Sequence, residues 1–298
     1  MKSPVTKIDS HHHFWSLDRN DYHWMPPSGG SAGPLREDYL PDRLAPFLHA
    51  NNVVGTVLVQ AAQTTEETMF LLGLASSTEY VLGVTGWVHL DSETAMDELC
   101  RLEALGPLVA IRPMLHDIAD ARWITKGVVG DNLAALAAHG QRFEILSYAE
   151  HLAACFATLE AIPNLPVVID HLSKPRYLAE ADVEWRHWMS RFAERPNTFC
   201  KLSGIVTEIG PGWTIADVEP VARFVIESFG PDRVMFGSDW PVCRQVAEYD
   251  AVVELADELI SRICPDHASD IWFDSAARFY GLDDLDDLDP NRNDVAQP

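Results

Sequence analysis

Eight short runs of β-branched and apolar residues recur along the chain, each followed by a stretch with helical spacing. This alternation limits the possible folds more than any other feature. The runs are Lys7–Ser10, Val53–Gln60, Val81–Val88, Val109–Pro113, Phe143–Leu146, Val167–Asp170, Thr198–Leu202 and Val234–Gly237. Most are continuously apolar rather than alternating, the pattern of strands covered on both faces. Between them, apolar residues return every three or four positions in Glu66–Ser77, Ser92–Leu105, Leu133–Ala138, Ala149–Ala161, Val183–Glu194, Val218–Phe229 and Ala247–Arg262. Strands that alternate with helices predict a parallel sheet built from crossovers. An open doubly wound sheet would place a glycine-rich phosphate loop after its first strand. Here the first strand runs into His11-His12-His13-Phe14-Trp15, with no glycine. The expectation is an α/β fold, a closed (β/α)8 barrel.

Length supports this. The chain has 298 residues, within the span that such barrels occupy as one domain. We expect a single barrel domain over 1–282 and an acidic tail over 283–298 that frays. No Pro-, Gly- or Ser-rich linker divides the chain. The segment Asp18–Pro41, with Pro-Pro-Ser-Gly-Gly inside it, reads as a long excursion after strand one that forms a lid or pocket wall. The five cysteines, Cys100, Cys155, Cys200, Cys243 and Cys264, are dispersed and odd in number, which fits a reducing compartment. An apolar strand follows Lys7 almost at once, and no apolar run approaches the roughly 20 residues of a membrane span, so a cytoplasmic protein with no membrane partner is expected. The net charge of −23 repels phosphate backbones and argues against nucleic acid as a partner. Homo-oligomerisation is left open.

Barrels of this kind keep their chemistry at the C-terminal ends of the strands, and the unusual polar residues gather there. His11 and His13 lie two apart on strand one, so their rings share one side while His12 points away. Two neutral nitrogen donors so placed begin a divalent-metal site; the plainer reading is a solvated strand end. Asp239 closes strand eight after an apolar run, where a carboxylate must accept hydrogen bonds, bind metal or act as a base. On its own it could equally cap the turn that follows. His171 after strand six has the same logic. Arg112, Glu144 and Lys201 interrupt apolar strands and either grip substrate or pair with one another. Trp15, His23, Trp24, His89 and Trp240 are candidates for the pocket wall, against the commoner role of packing. There is no Gly-x-Ser-x-Gly elbow and no nucleotide-binding loop.

The segments Ile8–Trp15 (IDSHHHFW), Asp170–Pro175 (DHLSKP), Lys201–Gly204 (KLSG), Phe236–Val242 (FGSDWPV) and Phe273–Leu282 (FDSAARFYGL), in this order, resemble the amidohydrolase-related proteins of the amidohydrolase superfamily, in their sugar-lactonase branch. The resemblance runs from about Lys7 to Leu282. It implies a TIM barrel hydrolase that opens the ester ring of a sugar-acid lactone of the L-fucono-, L-rhamnono- or galactonolactone kind. Asp239 would be the general base and His171 its catalytic partner. Arg112, Lys201, Trp15, His89, Glu144 and Trp240 would contact a small-molecule lactone. His11, His13 and Asp239 would hold zinc. Metal-dependent relatives add a histidine or a bridging group from strands four and five, where this chain has Arg112 and Glu144, so the resemblance implies one optional zinc ion. The competing readings are a metal-dependent decarboxylase or a dicarboxylate lactonase of the muconate or pyrone type, and a catalytically inactive binding barrel.

Overall fold

The computed structural model describes residues 5–25, 33–175 and 183–282. It contains eight strands: β1 (Lys7–His12), β2 (Val53–Val59), β3 (Val81–Gly86), β4 (Leu108–Ile111), β5 (Phe143–Ile145), β6 (Val167–Ile169), β7 (Thr198–Leu202) and β8 (Val234–Phe236). They pair in sequence order, every pair parallel. The expected strands are all present, each within a few residues of its expected end. The helices are α1 (Pro41–Ala50), α2 (Thr65–Ala75), α3 (Ala95–Glu103), α4 (Gly127–His139), α5 (Ala149–Glu160), α6 (Val183–Ala193), α7 (Ile205–Ile209), α8 (Ile215–Phe229), α9 (Tyr249–Ile263) and α10 (Ser275–Tyr280). None of the described helices is long and apolar enough to cross a membrane. The acidic tail over 283–298 and the Pro-Pro-Ser-Gly-Gly stretch lie outside the described residues.

Alternate strand residues divide into two cores, as a pleat requires. Val167, Ile169, Cys200, Leu202, Val234 and Phe236 face outward under the helices. Ile8, Val57, Ala110, Val168, Phe199 and Met235 point inward and pack with Phe273, Phe279 and Tyr280 of the last helical turns. The C-terminal segment therefore plugs one end of the barrel, and the interior beyond that apolar layer is polar.

The seam between β8 and β1 closes through backbone just past the strands. Asp239 N donates to His11 O at 2.8 Å, and His13 N donates to Trp240 O at 2.7 Å. Buried Asp9 reinforces it by accepting from Ser238 N at 2.9 Å, from His11 N at 3.2 Å and from the Tyr249 hydroxyl at 3.2 Å. Burial pushes the Asp9 carboxyl up to about 6. Close approach here requires a glycine: a Cβ on Gly237 would stand 2.6 Å from His11 Cβ.

Candidate active site

The seam delivers the site residues. Because His13 and Asp239 are locked together through adjacent backbone, His13 Nε2 lies 3.3 Å from Asp239 Oδ1. Nε2 of His11 and Nε2 of His171 each lie 3.9 Å from the same oxygen. His12 turns the other way and meets Thr56 Oγ1 at 2.8 Å, as the strand parity predicts. His171 comes from a left-handed turn after β6, where His171, Leu172, Ser173 and Lys174 all have φ near +50°; Asp239 itself has φ +58°. Side chains other than glycine avoid this region, and such backbone gathers where a site is held in a fixed shape.

The histidines are held by carbonyl and hydroxyl oxygens behind them. His13 Nδ1 sits 2.8 Å from Val59 O, a group that can only accept, so Nδ1 carries a proton, while Nε2 faces Asp239. His171 Nδ1 meets Ser203 Oγ at 2.9 Å. Burial lowers His171, and burial with the Lys201 ammonium takes His11 well below the usual imidazole range. Burial alone would raise Asp239, but His171 and the His13 hydrogen bond outweigh it and hold the carboxylate ionised.

Beneath this group lies a second, fully buried layer. Lys201 Nζ is 2.6 Å from Glu144 Oε2, 3.0 Å from Asp170 Oδ1 and 3.2 Å from His11 Nδ1. Arg112 donates to Asp170 Oδ2 at 3.0 Å and to Gln60 O, and its Nη1 stands 3.4 Å from His11 Nε2. Glu144 Oε1 also accepts from Thr85 Oγ1 at 2.7 Å and from the Tyr280 hydroxyl at 2.5 Å. Burial favours a neutral Asp170, yet Lys201, His11 and Arg112 hold its carboxyl well below the usual range. Two cations thus face two carboxylates in the barrel interior.

Above Asp239 opens a pocket of about 280 Å³, lined by His13, Trp24, Ala61, Arg112, Met114, His116, Asp117, Leu146, Tyr148, His171, Asp239 and Val242. His13, His171, Asp239, Arg112 and Trp24 come together here as expected. Trp24, in the excursion after strand one, is pinned by its Nε1 to Ala61 O at 2.7 Å. Other expected pocket residues lie elsewhere. Trp15 and Trp240 are buried in an aromatic cluster with Tyr39, at 5.3 and 5.1 Å between ring centres. His89 is exposed and bonded to Glu98 at 3.1 Å. His23 borders a separate surface pocket with Tyr22 and Arg36. Glu144 and Lys201 sit in the layer below. Cys243 is buried, and burial pushes its thiol up.

His116, Tyr148 and Met114 are pocket residues that strand-end reasoning missed, because they lie in the loops beyond β4 and β5. His116 is kept neutral, at about 3, by burial and by the nearby Lys174 and Arg112 charges.

The donors fit one zinc ion. Ligand atoms of His11, His171 and Asp239 all lie within 4.8 Å of one another, and His13 Nε2 lies 3.3 Å from the same Asp239 oxygen. His11 is the least available, since Lys201 and Arg112 stand at its two nitrogens.

The amidohydrolase family profile matches residues 8–282, within which this whole site falls. The chain belongs to the amidohydrolase family. This amidohydrolase is 37% identical over 281 residues to an L-fucono-1,5-lactonase of Burkholderia ambifaria, covering 93% of this chain and 96% of that one. It is 34% identical over 289 residues to an L-fucono-1,5-lactonase of Burkholderia multivorans, with the same coverage. A solved Burkholderia multivorans amidohydrolase with bound zinc superposes with a TM-score of 0.86 at 34% identity, covering 93% of this amidohydrolase and all of the other.

Proposed function

We propose that this amidohydrolase opens a sugar-acid lactone, of the L-fucono-, L-rhamnono- or galactonolactone kind, by adding water across the ring ester. One observation carries the reading: an ionised, buried carboxylate, Asp239, ringed by three imidazole Nε2 atoms on the floor of a pocket. The names and identity levels of its relatives support the substrate class. Asp239 takes a proton from water as the oxygen attacks the lactone carbonyl carbon. The negative charge that develops on the carbonyl oxygen falls beside Arg112, a residue that lines the same pocket. Collapse breaks the bond to the ring oxygen, and Asp239 returns the proton to it. The products are a hydroxyl and a carboxylic acid, so one water is consumed and nothing else is needed.

Trp24, Met114, Leu146 and Val242 give the pocket apolar walls, while His116 and Tyr148 offer polar atoms to sugar hydroxyls. Zinc, where bound, would be held by Asp239 with His13 and His171, and by His11 if Lys201 and Arg112 release it; it would supply a Lewis acid toward the carbonyl. Purified protein offered a panel of sugar 1,4- and 1,5-lactones, with and without exhaustive chelation and followed by pH indicator, tests both parts. Rapid opening of L-fuconolactone-like substrates, with much of the activity surviving chelation, is the expected result. Inertness toward the whole panel refutes the lactonase reading; activity that vanishes on chelation and returns only with zinc refutes the optional metal.

A further inference from the structure

Below the catalytic floor, His11, Glu144 and Asp170 bring one imidazole nitrogen and two carboxylate oxygens within 4.8 Å of one another, all fully buried. These are metal-ligating groups drawn from three different strands or strand ends. Two carboxylates this close and this dry need positive charge between or beside them. The chain provides it: Lys201 Nζ stands at 2.6, 3.0 and 3.2 Å from the three groups. We propose that the Lys201 ammonium is the resident occupant of a buried divalent-cation site, so that Lys201 excludes a metal ion from this inner place and confines any metal to the pocket-facing histidines and Asp239.

Three features carry the inference. The first is position, because the ammonium contacts each of the three groups that would ligate an ion. The second is charge. Lys201 and Arg112 balance Glu144 and Asp170 one for one, so loss of Lys201 leaves a net buried negative charge at a ready-made donor set. The third is the form of the contact with Asp170. Its Oδ1 lies 3.0 Å from Nζ and 3.6 Å from His11 Nδ1, so the ammonium is the nearer of the two groups that face it. An ammonium of fixed single charge holds His11 and Asp170 in place whatever the supply of metal, and in this respect Lys201 is a positioning residue. The inference concerns how many ions the barrel can hold and where, and it stands or falls independently of which lactone is opened.

The test counts ions. Full-length parent protein is stripped with chelator, loaded with Zn²⁺ or Co²⁺ and dialysed; bound metal is then measured by mass spectrometry, with the visible spectrum of Co²⁺ as a second readout. Lys201→Ala removes the charge and leaves room. It should bind one more equivalent than the parent, with new Co²⁺ bands. Glu144→Gln added to Lys201→Ala should abolish that extra equivalent, and Lys201→Arg, which keeps a cation, should not gain it. A folded Lys201→Ala protein holding the same metal as the parent overturns the proposal. If Lys201→Ala is unfolded alone and folds on addition of Zn²⁺, the proposal is supported. The parent supplies an arm that needs no variant at Lys201: two tightly held equivalents, one of them lost on Glu144→Gln, would overturn it outright.

Discussion

Gly204→Ala should disable the enzyme without replacing a single polar group of the site. Gly204 follows β7 with φ +64°, and a Cβ there would stand 2.5 Å from His171 Nδ1 and 2.7 Å from its Cγ. Ordinary contact begins near 3.4 Å, so the imidazole must retreat by 3.4 − 2.5, or 0.9 Å. The bond from His171 Nδ1 to Ser203 Oγ, now 2.9 Å, breaks in the process, and Nε2 leaves its place beside Asp239. A misplacement of about 1 Å in a catalytic constellation can cost on the order of a hundredfold in rate. That equals about 2.7 kcal/mol of transition-state stabilisation at about 1.36 kcal/mol per tenfold. The left-handed backbone adds roughly 1–2 kcal/mol of lost stability. The matched control is Gly140→Ala, where φ is +86° and nothing lies within 4 Å of the added Cβ. It carries the same kind of backbone penalty with no collision. The assay is kcat/KM for lactone opening by proton release, alongside thermal melting of both variants. Both should melt lower than the parent, and only Gly204→Ala should lose about a hundredfold in kcat/KM. Equal activity in the two variants would show that the position of His171 does not matter to the reaction.

Two further outcomes follow from the charges. Asp239→Asn preserves size but removes the base, and kcat/KM should fall at least about a hundredfold; near-normal turnover would exclude Asp239 as the proton acceptor. A base must be ionised to act. Because His171 and the His13 bond hold Asp239 below its usual carboxylate value, kcat/KM should stay level from pH 8 to about pH 5 and fall only toward pH 4 and below. An acid limb centred near 6.5, read from the pH profile of kcat/KM, would instead assign the titrating base to an imidazole.

The eight strands were legible because both of their faces are covered, which forces continuous apolar runs that no helix of this length imitates. The pairing of His11 with His13 followed from strand parity, and their meeting with Asp239 and His171 followed from the barrel's habit of gathering strand ends. Depth was not legible. Lys201 and Glu144 point into the barrel as their parity requires, but parity gives the side of the sheet and not the height along the axis. They lie buried one layer below the residues that line the pocket. Trp15 and Trp240 were misplaced for a related reason: an aromatic beside a catalytic residue can turn back into the loops, and here both bury against Tyr39. The helix Pro41–Ala50 is obscured by Pro46 in its middle. His116 carried a usable signal, since it lies four residues beyond Arg112, on the loop that leaves the same strand end.

The β8–β1 closure has a consequence for how the protein is made. His13 and Asp239 are 226 residues apart in the chain, and a ribosome working at 5–20 residues per second needs roughly 10–45 s to span them. Through that interval β1 has no partner on one edge, and its histidines have no carboxylate to face. The Tyr280 hydroxyl on Glu144 arrives later still. A nascent chain therefore carries most of the pocket residues while having no assembled pocket, and its open strand edge is a template for unwanted pairing. The site is complete only once the seam has shut and the last helix has seated in the barrel floor. Fragments released before that point would be inert and prone to aggregate.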